Sequence, residues 1–264
     1  MLRLYLEFAR RGYRRYAAYP AATFAGLFTN TVFGFMQAYI LLALYRERDE
    51  IGGYLAEDAV TYAWLAQALI GTLAIFGWNE LALRIRSGDI ATDLARPVGL
   101  VSSGLAFDVG RGVYHWLYRG IPPFVVGALV FDLTGPPGVL EALAFLVSVA
   151  LALGISFAFR FLYNLPAFWL LHYRGPMLIA LVVSLVLSGF VLPVRFFPDW
   201  LAAIAHATPF PSLVQTPVDV FVGATQGSEI PLALAVQAGW LTLLLLACRA
   251  LLAAGTRRLV VQGG

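Results

Sequence analysis

Lysine is absent from this 264-residue chain: all 18 basic residues are arginine. A Walker A loop needs a lysine against the nucleotide phosphates, and no G-x-x-x-x-G-K-[ST] match exists. The chain therefore has no P-loop of its own. Charge is scarce too, at 12% of residues against 60% hydrophobic. Soluble domains run nearer about a quarter charged, so this balance points to membrane, as does a mean hydropathy of +0.79. The one cysteine, Cys248, excludes an intramolecular disulfide; placed in an apolar run, it reads as a small hydrophobe. No H-E-x-x-H or paired Cys/His spacing is present, and His115, His172 and His206 fall in different segments, which speaks against a metal site. Gly-x-Ser-x-Gly is also absent, so Ser156, Ser184 and Ser188 read as small residues for helix packing. No short apolar core with a small-residue cleavage site precedes Pro20, so no cleavable signal peptide is expected.

What the chain has instead is apolar runs. A spanning helix takes about 20 apolar residues. Six runs approach or exceed that, at 21–44, 59–78, 114–131, 140–161, 176–192 and 231–252. They predict one all-α integral membrane domain over 1–264 with six transmembrane helices. Ahead of them, residues 1–19 place Leu2, Tyr5, Leu6, Ala9, Tyr13 and Tyr16 along one side of a helix. Arg3, Glu7, Arg10, Arg11, Arg14 and Arg15 fill the other. Such a helix lies in the interface plane, with its arginines toward anionic membrane lipids. A basic arm for nucleic acid is the competing reading, and the apolar stripe argues against it. Arginines also gather in the connectors after the second and fourth runs and in the tail. Arg46, Arg48 and Arg195, on the other side, are outnumbered by acidic residues. The positive-inside rule then puts both termini in the cytoplasm.

Two connectors stand out. Residues 81–98 carry a helix from Leu83 to Arg96 with Arg86, Asp89, Asp93 and Arg96 at i, i+3, i+7 and i+10. Leu83, Ile90 and Leu94 form a second stripe, and Pro97 stops the helix. This is either an interfacial helix with its own ion pairs or a docking element that transmits force from a cytoplasmic partner; periodicity leaves both open. Residues 194–229 are apolar but broken by Pro198, Pro209, Pro211 and Pro217, which forbid one long helix. Non-helical backbone at membrane depth must be shielded by protein or face water. A broken cap over a translocation path meets that demand, and a peripheral loop with amphipathic helices is the alternative. Within the apolar runs ionisable residues are few. Asp108 and Arg111 are spaced to pair on a helix, and no buried carboxylate of the kind a proton- or sodium-driven transporter uses is evident. Asn30, Phe35, Gln37, Gln67 and Asn79 are candidates to line a path.

The stretch Asn79-Glu80 … Arg86-Ser87-Gly88-Asp89-Ile90 … Leu94-Ala95-Arg96-Pro97 resembles the E…R-x-G-x-[IL]…L-x-[KR]-P pattern of type 2 ATP-binding cassette (ABC) exporter permeases. Downstream, Pro193-Val194-Arg195-Phe196-Phe197-Pro198-Asp199-Trp200-Leu201, then Thr208-Pro209-Phe210, Pro217 and Gly223, is similar to the outer segment of their bacterial six-span subgroup. In topology the resemblance covers the whole chain, in residues only these two segments. It implies that Glu80, Arg84, Arg86, Gly88, Asp89, Asp93, Leu94, Arg96 and Pro97 form a cytoplasmic coupling helix, helped by His172 and Arg174. It implies that Phe196, Phe197, Pro198, Trp200, Pro209, Phe210 and Pro217 form an outer gate on re-entrant helices. The N-terminal helix would match the interfacial connecting helix. By this resemblance the chain is a non-catalytic permease subunit in a bacterial cell membrane. It would pair with a second copy or a sister permease and export amphipathic or hydrophobic cargo: a drug, antibiotic, lipid or peptide. It would hold no cofactor; ATP and magnesium belong on a separate ABC ATP-binding subunit. The alternative is a secondary transporter or channel-like protein without an ATPase, which should show an internal repeat or intramembrane charge. Neither is visible in the sequence.

Overall fold

A computed structural model describes residues 1–75, 79–170 and 174–258. These residues are helical and carry no β-strand, only an isolated bridge between Ile51 and Tyr54. The helices are α1 (Leu2–Ala17), α2 (Pro20–Leu44), α3 (Ala56–Leu73), α4 (Glu80–Ser87), α5 (Ile90–Leu94), α6 (Leu100–His115), α7 (Ile121–Val130), α8 (Val139–Asn164), α9 (Arg174–Leu187), α10 (Asp199–His206), α11 (Gln215–Phe221) and α12 (Glu229–Thr256). Among the described residues three helical stretches are long and apolar enough to cross a membrane: Pro20–Leu44, Val139–Phe168 and Glu229–Thr256. They enclose the first, fourth and sixth expected spans.

The other three expected spans differ from their predicted limits, each for a local reason. α3 begins earlier, at Ala56, where the Asp58 carboxylate accepts the Leu55 N–H at 3.0 Å and caps the first turn. It ends at Ala74, whose φ of +50° is left-handed; the last three residues predicted for this span lie outside the described residues. The third predicted span starts at Tyr114, yet the helix there already begins at Leu100. It runs through a π-helical turn, Trp116–Gly120, into α7. The adjacent Pro122 and Pro123 lack N–H donors, so the regular i→i−4 ladder cannot continue, and the turn widens. α9 is only 14 residues long and ends before Ser188 and Gly189, where Gly189 takes φ +84°.

α3 is the central element. Almost every residue from Ala59 to Leu73 is buried. Trp64 fits into space left by two glycines: a Cβ on Gly34 of α2 or Gly127 of α7 would stand 2.6 or 2.4 Å from the indole. Apolar residues of α3, α8, α11 and the segment before it form one core, with Leu65, Leu69, Ile155, Val194, Val214 and Val218 at its centre. The proline-broken 194–229 segment thus folds onto this core as short helices, α10, α11 and two 3₁₀ turns, rather than as a loop peripheral to it.

The N-terminal helix packs part of its apolar side, Tyr13 and Tyr16, on protein, while Leu2 and Leu6 stay exposed. α1 crosses α6 at two glycines, where a Cβ on Gly12 would lie 2.0 Å from the Phe107 carbonyl oxygen and one on Gly110 1.7 Å from that of Ala9. Only a side chain of hydrogen permits such backbone contact. Tyr13 stacks edge-on against Tyr114, and Tyr16 against His115.

Candidate functional site

The connector between α3 and α6 is not one helix. Gly88, at φ +82°, ends α4, and a left-handed residue is what closes a helix C-terminus; α5 then starts in a new direction. The expected single charged stripe is therefore broken. Asp93 turns inward, buried at 8% exposure, and meets Arg84 at 2.6 Å and Arg96 at 3.8 Å. Leu81, Ala82, Ile85 and Ile90 pack on Phe157, Phe161 and Leu165 of α8 and its extension. The Ala82 N–H donates to Asn164 Oδ1 at 3.0 Å, and Arg15 of α1 reaches Glu80 at 3.2 Å. The inner face of the connector is fixed; the outer face exposes Leu83, Arg86, Gly88, Asp89, Arg96 and Pro97. Leu94 is half-buried between them. Asn79 supplies the carbonyl that accepts from Leu83. Arg174 opens α9 at the surface, and His172 lies outside the described residues.

Behind the connector sits a group of charges that corrects the expectation of an almost charge-free interior. Asp108 of α6 receives Arg111 at 2.6 Å and Arg160 of α8 at 2.6 Å, all three nearly inaccessible. Arg111 also donates to the carbonyls of Gly71 (2.7 Å) and Thr72 (2.8 Å). The Ser156 hydroxyl donates to Leu73, and Arg160 donates to Ser156 at 3.2 Å. These side chains satisfy the orphan carbonyls at the negative end of α3. They join α3, α6 and α8 just where α3 leads toward the connector. Sequence spacing exposed the Asp108–Arg111 pair; Arg160, 52 residues away in sequence, carried no local sign of belonging to it.

A second polar network holds the 194–229 segment. The Tyr54 hydroxyl donates to Asp219. Gln215 Nε2 donates to Asp219 at 2.8 Å and to Tyr54 Oη at 2.9 Å, and Gln215 Oε1 accepts from the Val194 N–H at 2.6 Å. Tyr62 of α3 donates to the Gly189 carbonyl at 2.8 Å. Arg195 meets Asp219 at 3.0 Å. Burial pushes the Asp219 carboxyl above its ordinary value, against the pull of Arg195. Burial, reinforced by Asp219, raises Tyr54 well above the usual phenol range, so it stays a donor. Sequence reading missed this network. The signal was the i, i+4 pair Gln215 and Asp219 in an otherwise apolar stretch.

Around that network the expected gate residues split. Phe210 and Pro217 are buried, Phe196 and Phe197 pack at the core's edge, and Pro209 is half-buried. Pro198 and Trp200 are exposed, Trp200 at 66%. Of the proposed path residues, Asn30, Gln37 and Gln67 form a seam between α2 and α3. Asn30 Nδ2 lies 3.4 Å from the Gln67 carbonyl, Gln67 donates to Gln37 at 3.1 Å, and Gln37 donates to the Phe190 carbonyl at 3.1 Å. Phe35 packs edge-on against Trp64. A family model described as "ABC-2 family transporter protein" matches residues 28–263. No curated protein and no solved structure matches the chain.

Proposed function

The chain belongs to the ABC-2 family of transporter proteins, and from that premise we propose that it is the permease half of an exporter driven by a separate ATP-binding subunit. The observation that carries the reading is the connector. Its inner face is tied to α8 and α1 by Ala82–Asn164 and Glu80–Arg15, and within itself by Arg84–Asp93. Its outer face offers Leu83, Arg86 and Asp89. An element rigid on one side and amphipathic on the other can receive a push and hand it to the bundle. The Asp108 group lies directly behind it, holding the end of α3 to α6 and α8. Closure of two ATPases would move this connector and, with it, the end of α3.

In this reading α2, α3, the α6–α7 pair, α8, α9 and α12 are the six spans, with both termini cytoplasmic. α10 and α11 form the outer side of the path. One such bundle encloses little space, so two permeases, identical or sister chains, would complete it. The cargo would be amphipathic or hydrophobic. ATP and magnesium would reside on the partner. The secondary-transporter alternative gains two buried carboxylates, Asp108 and Asp219, but each is engaged by arginine, which suits structure better than proton exchange.

Leu83→Glu and Asp89→Arg change only the exposed face of the connector. Each should leave membrane insertion intact while the ATP-binding subunit no longer co-purifies or ATP-driven transport falls. Full transport with both changes present would refute the docking face.

A further inference from the structure

A cavity of about 350 Å3 lies between α2, the end of α3, α1 and the π-turn. Its chemistry is one-sided. Arg111, His115 and Arg119 line it together with Tyr16, Asn30 and Gly71, and among the described residues no carboxylate does. Arg111 is neutralised by Asp108, but that single carboxylate also serves Arg160. Arg119 forms no ion pair among the described residues, and its Nε is buried without a hydrogen-bond partner. His115 is 7% exposed, and its Nδ1 is likewise unpartnered. That nitrogen faces Gly71, where a Cβ would stand 3.5 Å away. The Arg119 guanidinium lies against Gly26, where a Cβ would come within 2.1 Å of its Cζ. Two glycines thus make room for the guanidinium and the imidazole on the cavity wall.

A guanidinium at membrane depth without a counter-ion is costly, and buried donors are normally satisfied. A partner that accepts hydrogen bonds and carries negative charge would satisfy the Arg119 guanidinium. We propose that this cavity binds an oxoanion, the phosphate of an anionic lipid, between Arg119 and His115. The wall reaches the outward face of α2 at exposed Thr29, beside exposed Phe28 and one turn from Phe24. An acyl chain attached to the oxoanion therefore leaves the cavity along an apolar surface. Tyr16 closes the wall at the end of α1, the helix whose arginines favour the headgroup layer. A phosphate seated here would bridge α1, α2, α3 and the π-turn.

The test uses the full chain in a non-ionic detergent, titrated with dioctanoyl phosphatidylglycerol, dioctanoyl phosphatidylcholine or inorganic phosphate and read by native mass spectrometry and thermal shift. The anionic lipid should bind at least about tenfold more tightly than the zwitterionic one, as charge-assisted recognition requires. Arg119→Gln should remove about that factor, Arg119→Lys should keep much of it, and Arg257→Gln on the exposed tail should change nothing. His115→Gln, which spares the guanidinium, gives a second reading and should weaken binding severalfold. Inorganic phosphate competing as well as the lipid would support the oxoanion site and assign its source to solution. Equal binding of both lipids, or unchanged anionic-lipid binding in both Arg119→Gln and His115→Gln, would overturn the site. No ATPase enters this experiment, so its failure leaves the docking reading standing.

Discussion

Replacing Asp108 with Asn removes one negative charge from between two buried guanidiniums while keeping the shape of the side chain. Arg111 keeps two carbonyl partners, Gly71 and Thr72, so much of its hydrogen bonding survives. Arg160 is worse placed: among the described residues its remaining side-chain partner is the Ser156 hydroxyl at 3.2 Å, and its side chain is only 5% exposed. Breaking a buried ion pair by removing one member costs about 3–5 kcal/mol, because the other charge is left buried and uncompensated. For a chain of this size that corresponds to a fall in unfolding midpoint on the order of ten degrees. The assay is the thermal unfolding midpoint of purified protein in detergent, followed by tryptophan fluorescence. The diagnostic comparison is the double variant Asp108→Asn with Arg160→Met, which removes the stranded charge as well. It should recover more than half of the lost stability, since residues in one network do not act additively. The reasoning is refuted if Asp108→Asn behaves as a surface substitution, within about 0.5 kcal/mol of the parent. It is equally refuted if the second substitution simply adds further destabilisation.

Two further predictions follow from contacts elsewhere. Gly110→Ala places a methyl group 1.7 Å from the Ala9 carbonyl oxygen, so α1 must lift from α6 at a cost of about 1–3 kcal/mol. Trypsin should then cut faster at Arg10, Arg11, Arg14 and Arg15, and an unchanged cleavage rate would refute the crossing. Asp219 has a folded-state value above the ordinary 3.8, chiefly through burial. The folded protein therefore holds this proton more tightly than the unfolded chain, and the group's contribution to stability falls as pH rises through the folded value. The unfolding midpoint should drop as pH is raised from about 4 toward neutrality, and Asp219→Asn should flatten that slope. A slope unaffected by the substitution would place the titration elsewhere.

What was legible in the sequence was what depends on long runs and on backbone chemistry. The apolar runs at 21–44, 140–161 and 231–252 lie inside helices of the expected kind because hydropathy acts over about 20 residues at once. The proline-broken segment was readable because proline acts locally. The connector failed as a single helix at one residue, Gly88, whose left-handed conformation outweighed a charge periodicity that runs straight across it. The charged interior was hidden for a different reason. Asp108, Arg111 and Arg160 looked like residues near the ends of apolar runs, where arginine reaches outward to the interface. They turn inward because α3 ends in the middle of the bundle at Ala74, and its last carbonyls need donors there. No pattern within α6 or α8 announces that need; it arises only once three helices converge. The same holds for the cavity at Arg119. It depends on Gly26, whose missing side chain makes room for the Arg119 guanidinium, and on Gly71, against which the His115 imidazole packs. In a chain with so little charge, Arg111 and Arg160 at this end of the bundle share one carboxylate, and Arg119 has no ion pair among the described residues. The charge left over is what makes an anionic ligand the natural occupant of the space beside them.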